Sequence, residues 1–66
     1  MKYYIVKDKA SGKFADGFYG WDCNIHSEEQ IFAENELPYR PNDGMDFILL
    51  CKGQKPTVAE VNKIIH

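Results

Sequence analysis

Residues 45–66 read MDFILLCKGQKPTVAEVNKIIH, and this stretch decides the fold. Phe47-Ile48-Leu49-Leu50-Cys51 is an unbroken apolar run of strand length, bounded by Asp46 and Lys52. That pattern marks a strand buried on both faces and places it at the centre of a sheet. Gly53-Gln54-Lys55-Pro56 ends the strand. Thr57-Val58-Ala59-Glu60 then forms a capping box, in which a threonine hydroxyl and a glutamate three residues on satisfy the first free amides of a helix. Val58, Val61, Ile64 and Ile65 recur at helical spacing as an apolar face, and Glu60 and Lys63 point outward. The last third of the chain is therefore a buried strand followed by an amphipathic helix.

The same reasoning runs back toward the N-terminus. Tyr3 to Lys7 is rich in aromatic and β-branched residues and reads as a strand. Tyr3 and Ile5 share one face, Tyr4 and Val6 the other, and both faces are apolar. Asp8-Lys9-Ala10-Ser11-Gly12 is turn chemistry, so Lys13 to Ala15 is the return strand of a hairpin. Asp16-Gly17 and Gly20 interrupt the aromatic cluster Phe18, Tyr19 and Trp21, and the second strand bends or stops near Asp16. Ser27-Glu28-Glu29-Gln30 is another capping box, with two glutamates suited to a helix N-terminus. It predicts a short helix that Asn35 and Pro38 do not allow to continue. An extended Gln30-Ile31-Phe32-Ala33 is the competing reading. Pro41-Asn42-Asp43-Gly44 fits a turn with Gly44 in the left-handed region.

Together these elements predict an α+β fold. A small antiparallel sheet of three to four strands packs against a C-terminal helix, with a short second helix in the middle. Residues 1–66 suffice for one small domain. The chain is 44% hydrophobic and 14% aromatic, rich enough to fold. No apolar run approaches the ~20 residues of a membrane-spanning helix, and the opening apolar stretch is too short for a signal peptide. Met1 is read as the start of a complete small gene product, and the chain as cytoplasmic. Cys23 and Cys51 are then expected to be free thiols.

Charge is distributed unevenly. Met1 to Trp21 carries a net +2, Asp22 to Asp46 a net −6, and Phe47 to His66 a net +2. The overall −2 conceals an acidic middle. Asp22, Glu28, Glu29, Glu34, Glu36, Asp43 and Asp46 form either a solvated face or a patch that steers a basic partner.

Candidate chemistry is sparse. Cys23-x-x-His26 with Cys51 and His66 is the best metal constellation, but structural zinc sites draw on two local ligand pairs and only one is present. No cofactor or metal is expected. A Cys23–His26 dyad needs a geometry that residues so close in sequence rarely reach. The glutamates need burial to act as acids or bases, and a polar turn keeps them hydrated. The chain is therefore expected not to be an enzyme.

Two binding readings remain. In the first, Phe18, Tyr19, Trp21, Tyr39 and Arg40 act with Asp22, Glu28, Glu29, Glu34 and Glu36 as a surface for another protein with a basic face. Aromatic anchors and a proline-stiffened loop suit such a contact. In the second, the N-terminal rings and Lys2, Lys7, Lys9 and Lys13 form a stacking platform for nucleic acid. A two-fold dimer through an edge near Tyr39 is a further option. The small size, mixed fold and lack of a catalytic set resemble the accessory proteins of phages and mobile elements, a likeness of class. That likeness implies a viral or phage accessory protein in host interaction, an inhibitor that binds one host protein or defence complex.

Overall fold

The computed structural model describes residues 1–17, 20–38, 40 and 44–66. Its centre is β1 (Lys2–Asp8), which the alternation of Tyr3, Tyr4, Ile5 and Val6 had marked as two-faced. Ile5 and Val6 are both 0% exposed, on opposite faces of the strand. One edge of β1 is lined along its length by β5 (Met45–Lys52), antiparallel, from Lys2 opposite Lys52 to Asp8 opposite Met45. The other edge is shared. β2 (Phe14–Ala15) pairs antiparallel at Lys7, and β4 (Phe32–Ala33) pairs at Tyr3 and Tyr4. β3 (Trp21–Asp22) adds to the far side of β2. α1 (Val58–Ile65) completes the small α+β fold.

The hairpin between β1 and β2 forms where the sequence places it. Asp8 accepts from the Ser11 hydroxyl at 2.7 Å and the Ser11 amide at 3.0 Å, which closes the turn. Those two bonds hold the Asp8 carboxyl below the usual carboxylate range, the hydroxyl contributing most. Gly12 sits at φ +75°, a left-handed conformation that a side chain would oppose.

The two faces of the sheet carry two apolar clusters. On the first, Ile5, Phe14, Ile25, Ile31 and Val61 are buried, flanked by Tyr3, Ile48, Leu50, Val58 and Ile65. α1 covers this face. On the second, Val6, Ala15 and Phe32 are buried with Leu37, Met45 and Phe47 against them. Phe14 and Ala15 of β2 divide between the clusters, as do Ile31 and Phe32, as a period of two requires.

Three expectations are corrected here. β5 is not central: among the described residues its only strand neighbour is β1. Its apolar run is half-buried rather than sealed, and Leu49 is 46% exposed. The middle helix is a single 3₁₀ turn, Glu28–Gln30, with the capping box at Ser27 intact. Ile31 to Ala33 then runs extended, because Ile31 and Phe32 enter opposite clusters and a helix could not send them there. The C-terminal capping box holds, with Thr57 Oγ1 accepting from the Glu60 amide at 3.2 Å. Glu60 is committed to that cap, since its Oε1 accepts from the Thr57 amide and hydroxyl. Only Val61 of the apolar face is fully buried, and Ile64 is 53% exposed. No helix of the described residues is long and apolar enough to cross a membrane.

Candidate functional site

The segment from β3 to β4 carries the exposed acidic and aromatic side chains, and its shape follows from a few interior anchors. Ile25 is 2% exposed and plants the loop in the first cluster. Asn62 of α1 donates from Nδ2 to the Ile25 carbonyl at 3.2 Å, tying loop to helix. Gln30 is also 2% exposed, an unusual place for an amide side chain. Its Oε1 accepts from the His26 amide at 2.6 Å and the Ser27 amide at 3.0 Å, and its Nε2 donates to the Asn24 carbonyl at 2.9 Å. One side chain thus satisfies three backbone groups of a loop too short to satisfy them itself. Gly17 lets the turn after β2 press on the same loop, since a Cβ there would lie 3.1 Å from the Glu29 carbonyl oxygen.

On this frame Trp21 is 38% exposed, and among the described aromatic rings it alone is exposed. Its strand neighbour Asp22 accepts from the Asn24 amide at 3.4 Å, and Asp22 Oδ1 lies 3.3 Å from His26 Nε2. Glu28 and Glu29 stand exposed on the 3₁₀ turn that follows. Asp22 and His26 thus face each other, Trp21 precedes them on β3 and Glu28 and Glu29 follow on the loop. Glu34 and Glu36, also exposed, lie past β4 at the N-terminal end of β1, where the Glu34 amide donates to the Lys2 carbonyl at 2.9 Å and Glu34 Oε1 accepts from the Lys2 amide at 3.4 Å. They form a second acidic group on the same edge of β1. Asp46 belongs to the opposite edge, 3.8 Å from Lys9 Nζ. Six of the seven acids of the middle are among the described residues; they are dispersed, and two groups of them flank one edge. Among the described residues Glu28, Glu29, Glu34 and Glu36 form no ion pair with a lysine or arginine. Arg40 is exposed. Phe18, Tyr19, Tyr39 and Asp43, and the turn predicted at Pro41-Asn42-Asp43, lie outside the described residues.

The other constellations come apart. Cys23 is exposed and Cys51 half-buried, both as free thiols. Cys51 Sγ donates to the Gln54 carbonyl at 3.3 Å. His26 Nε2 faces Asp22, not Cys23. Among the described residues no group of three histidine, cysteine or acidic side chains is placed to hold a metal ion. The basic aromatic platform is also divided. Phe14 is core at 8% exposure, and Lys7 lies over its ring at 5.9 Å from the centroid.

Gln30 and Asn62 are the positioning residues that the sequence reading missed. The capping box flagged Gln30, but as a helix cap and not as an interior clamp. Nothing in the local pattern marks Asn62 apart from other polar residues of α1. No protein-family model matches the chain, and no curated protein or solved structure does.

Proposed function

We propose that this protein is a non-enzymatic cytoplasmic binding module that docks a basic surface of another protein and blocks it, in the manner of a phage or mobile-element accessory inhibitor. The observation that carries this reading is the exposed Trp21 on β3 followed by a loop that carries exposed Glu28 and Glu29 and is fixed from inside by Gln30 and Ile25. Exposed tryptophan is a common anchor of protein interfaces. Carboxylates without an internal cation keep their charge for a partner, which raises the rate of encounter and selects a basic face. A loop held by interior hydrogen bonds loses little entropy on docking.

The test is affinity capture from cell lysate with the wild type beside the triple variant Glu28→Lys, Glu29→Lys, Glu34→Lys, and with Trp21→Ala. The expected result is a basic protein retained by the wild type, released by salt, and lost from both variants. Binding of the purified pair should then repeat that order. Nucleic acid retained by the wild type and the triple variant alike would overturn the reading and favour the N-terminal lysines.

A further inference from the structure

The ladder between β1 and β5 is electrically uneven. Toward one end Lys7 stands opposite Asp46, so unlike charges meet across the strands. At the other end Lys2 stands opposite Lys52. The Gly53 amide donates to the Met1 carbonyl at 2.8 Å, one residue beyond that pair on each strand. Lys2 and Lys52 are therefore a non-hydrogen-bonded pair, the closer of the two kinds, with Cα atoms about 4.5 Å apart. Residues directly opposite share a face, so both ammonium groups leave the same face of the sheet, and both side chains are exposed. Among the described residues neither lysine makes an ion pair. Glu34 Oε1 accepts from the Lys2 amide at 3.4 Å, on the β4 side of β1 and away from Lys52. Like charges directly opposite destabilise a sheet, and the fold leaves this pair without a counter-charge. The next row on the same face is Tyr4 opposite Leu49, with Tyr4 half-buried and Leu49 46% exposed.

We propose that Lys2 and Lys52 hold the phosphoryl group of a phosphate monoester whose organic part rests on Tyr4 and Leu49. Two ammonium groups on neighbouring strands each meet one oxygen of the tetrahedral group. A monoester has its second pKa near ~6, so at neutral pH it carries close to two negative charges and one ligand balances both lysines. A carboxylate balances only one. Lysine serves as a point charge for phosphate, and its flexible stem adjusts to the oxygen it meets. The row below supplies an apolar contact that inorganic phosphate does not use. The site lies on β1 and β5, apart from Trp21 on β3, and stands independently of the docking surface.

Amide NMR titration at fixed ionic strength and about pH 7.5, with phenyl phosphate as the probe, tests this. The wild type is expected to saturate with a dissociation constant of about 1–10 mM, with the largest shifts at Lys2, Tyr4, Leu49 and Lys52. Inorganic phosphate and benzoate should each bind about threefold more weakly or worse, the first for lack of the ring and the second for lack of the second charge. Lys2→Gln and Lys52→Gln should each weaken phenyl phosphate about threefold or more, and Lys63→Gln, on α1 and exposed, should not. Glu34→Gln removes the opposing carboxylate and should tighten it. Each replaced side chain is exposed, so circular dichroism should stay that of the wild type. Shifts spread over all lysines alike, or no saturation by about 50 mM, would overturn the proposal. Lys2 and Lys52 variants that bind like the wild type, or benzoate as tight as phenyl phosphate, overturn it equally. Inorganic phosphate as tight as phenyl phosphate overturns the assignment of Tyr4 and Leu49.

Discussion

Replacing Gln30 by leucine removes the clamp inside the β3–β4 loop while keeping a buried side chain of similar bulk. Two amides, of His26 and Ser27, lose their acceptor, and the Asn24 carbonyl loses its donor. Each buried backbone group left without a partner costs about 1–3 kcal/mol. These groups are partly buried, so water recovers some of the loss, and about 3 kcal/mol in total is the reasoned figure. A chain of 66 residues has about 3–10 kcal/mol of stability in all, so the variant should be close to the edge of folding. Urea titration followed by circular dichroism reads the global loss. The fluorescence of Trp21, the chain's one tryptophan, reads the loop. Amide exchange at His26 and Ser27 separates local opening from global unfolding. A loss below about 1 kcal/mol, with both amides still protected, would refute the idea that Gln30 holds this loop.

Three further outcomes are expected. Val61→Asp places a carboxylate at a position 0% exposed in the first cluster, and the cooperative thermal transition should vanish; a retained transition would mean that α1 is not needed to close the core. Thr57→Ala removes the cap of α1 and should cost about 1 kcal/mol in denaturant, whereas Glu36→Gln, exposed, should change stability by less than about 0.5 kcal/mol. The Asp8 carboxyl, followed by NMR, should titrate below the ordinary aspartate midpoint, and Ser11→Ala should move it up. Because its folded value is the depressed one, the stability it adds is present above the unfolded value of 3.8 and is lost as pH falls through the folded value. An Asp8 midpoint indifferent to Ser11 would assign the hairpin turn to some other contact.

The sequence made some elements legible and concealed others for definite reasons. Both capping boxes formed as read, because a cap is a local exchange among four consecutive residues. The alternation in Tyr3 to Val6 gave the two faces of β1, because side-chain direction in a strand depends only on position. The place of β5 was misread because apolarity reports which faces are covered, not which edges are paired. Edge pairing is decided by the remaining strands, and two short ones, β2 and β4, divide the edge of β1 that β5 leaves open. The site shows the same contrast. Charge counting found the acids, but their separation into groups depends on the route of the chain from β3 to β5. The exposure of Trp21 was legible as an excess of rings around Gly20. The role of Gln30 was not, because a buried amide and a surface cap have the same local sequence.

The pairing of β1 with β5 has a consequence for how the polypeptide is made. Lys2 is registered with Lys52, and the Gly53 amide donates to the Met1 carbonyl at 2.8 Å. β1 thus emerges from the ribosome well before the strand that completes it. Until β5 emerges, the nascent chain can offer β1 only the short partners β2 and β4, and Ile5 and Val6 lack Ile48 and Phe47 beside them. Closure through such distant segments is slow compared with local hairpin formation. A chain released before Met45 would therefore leave one apolar edge of β1 open along its whole length.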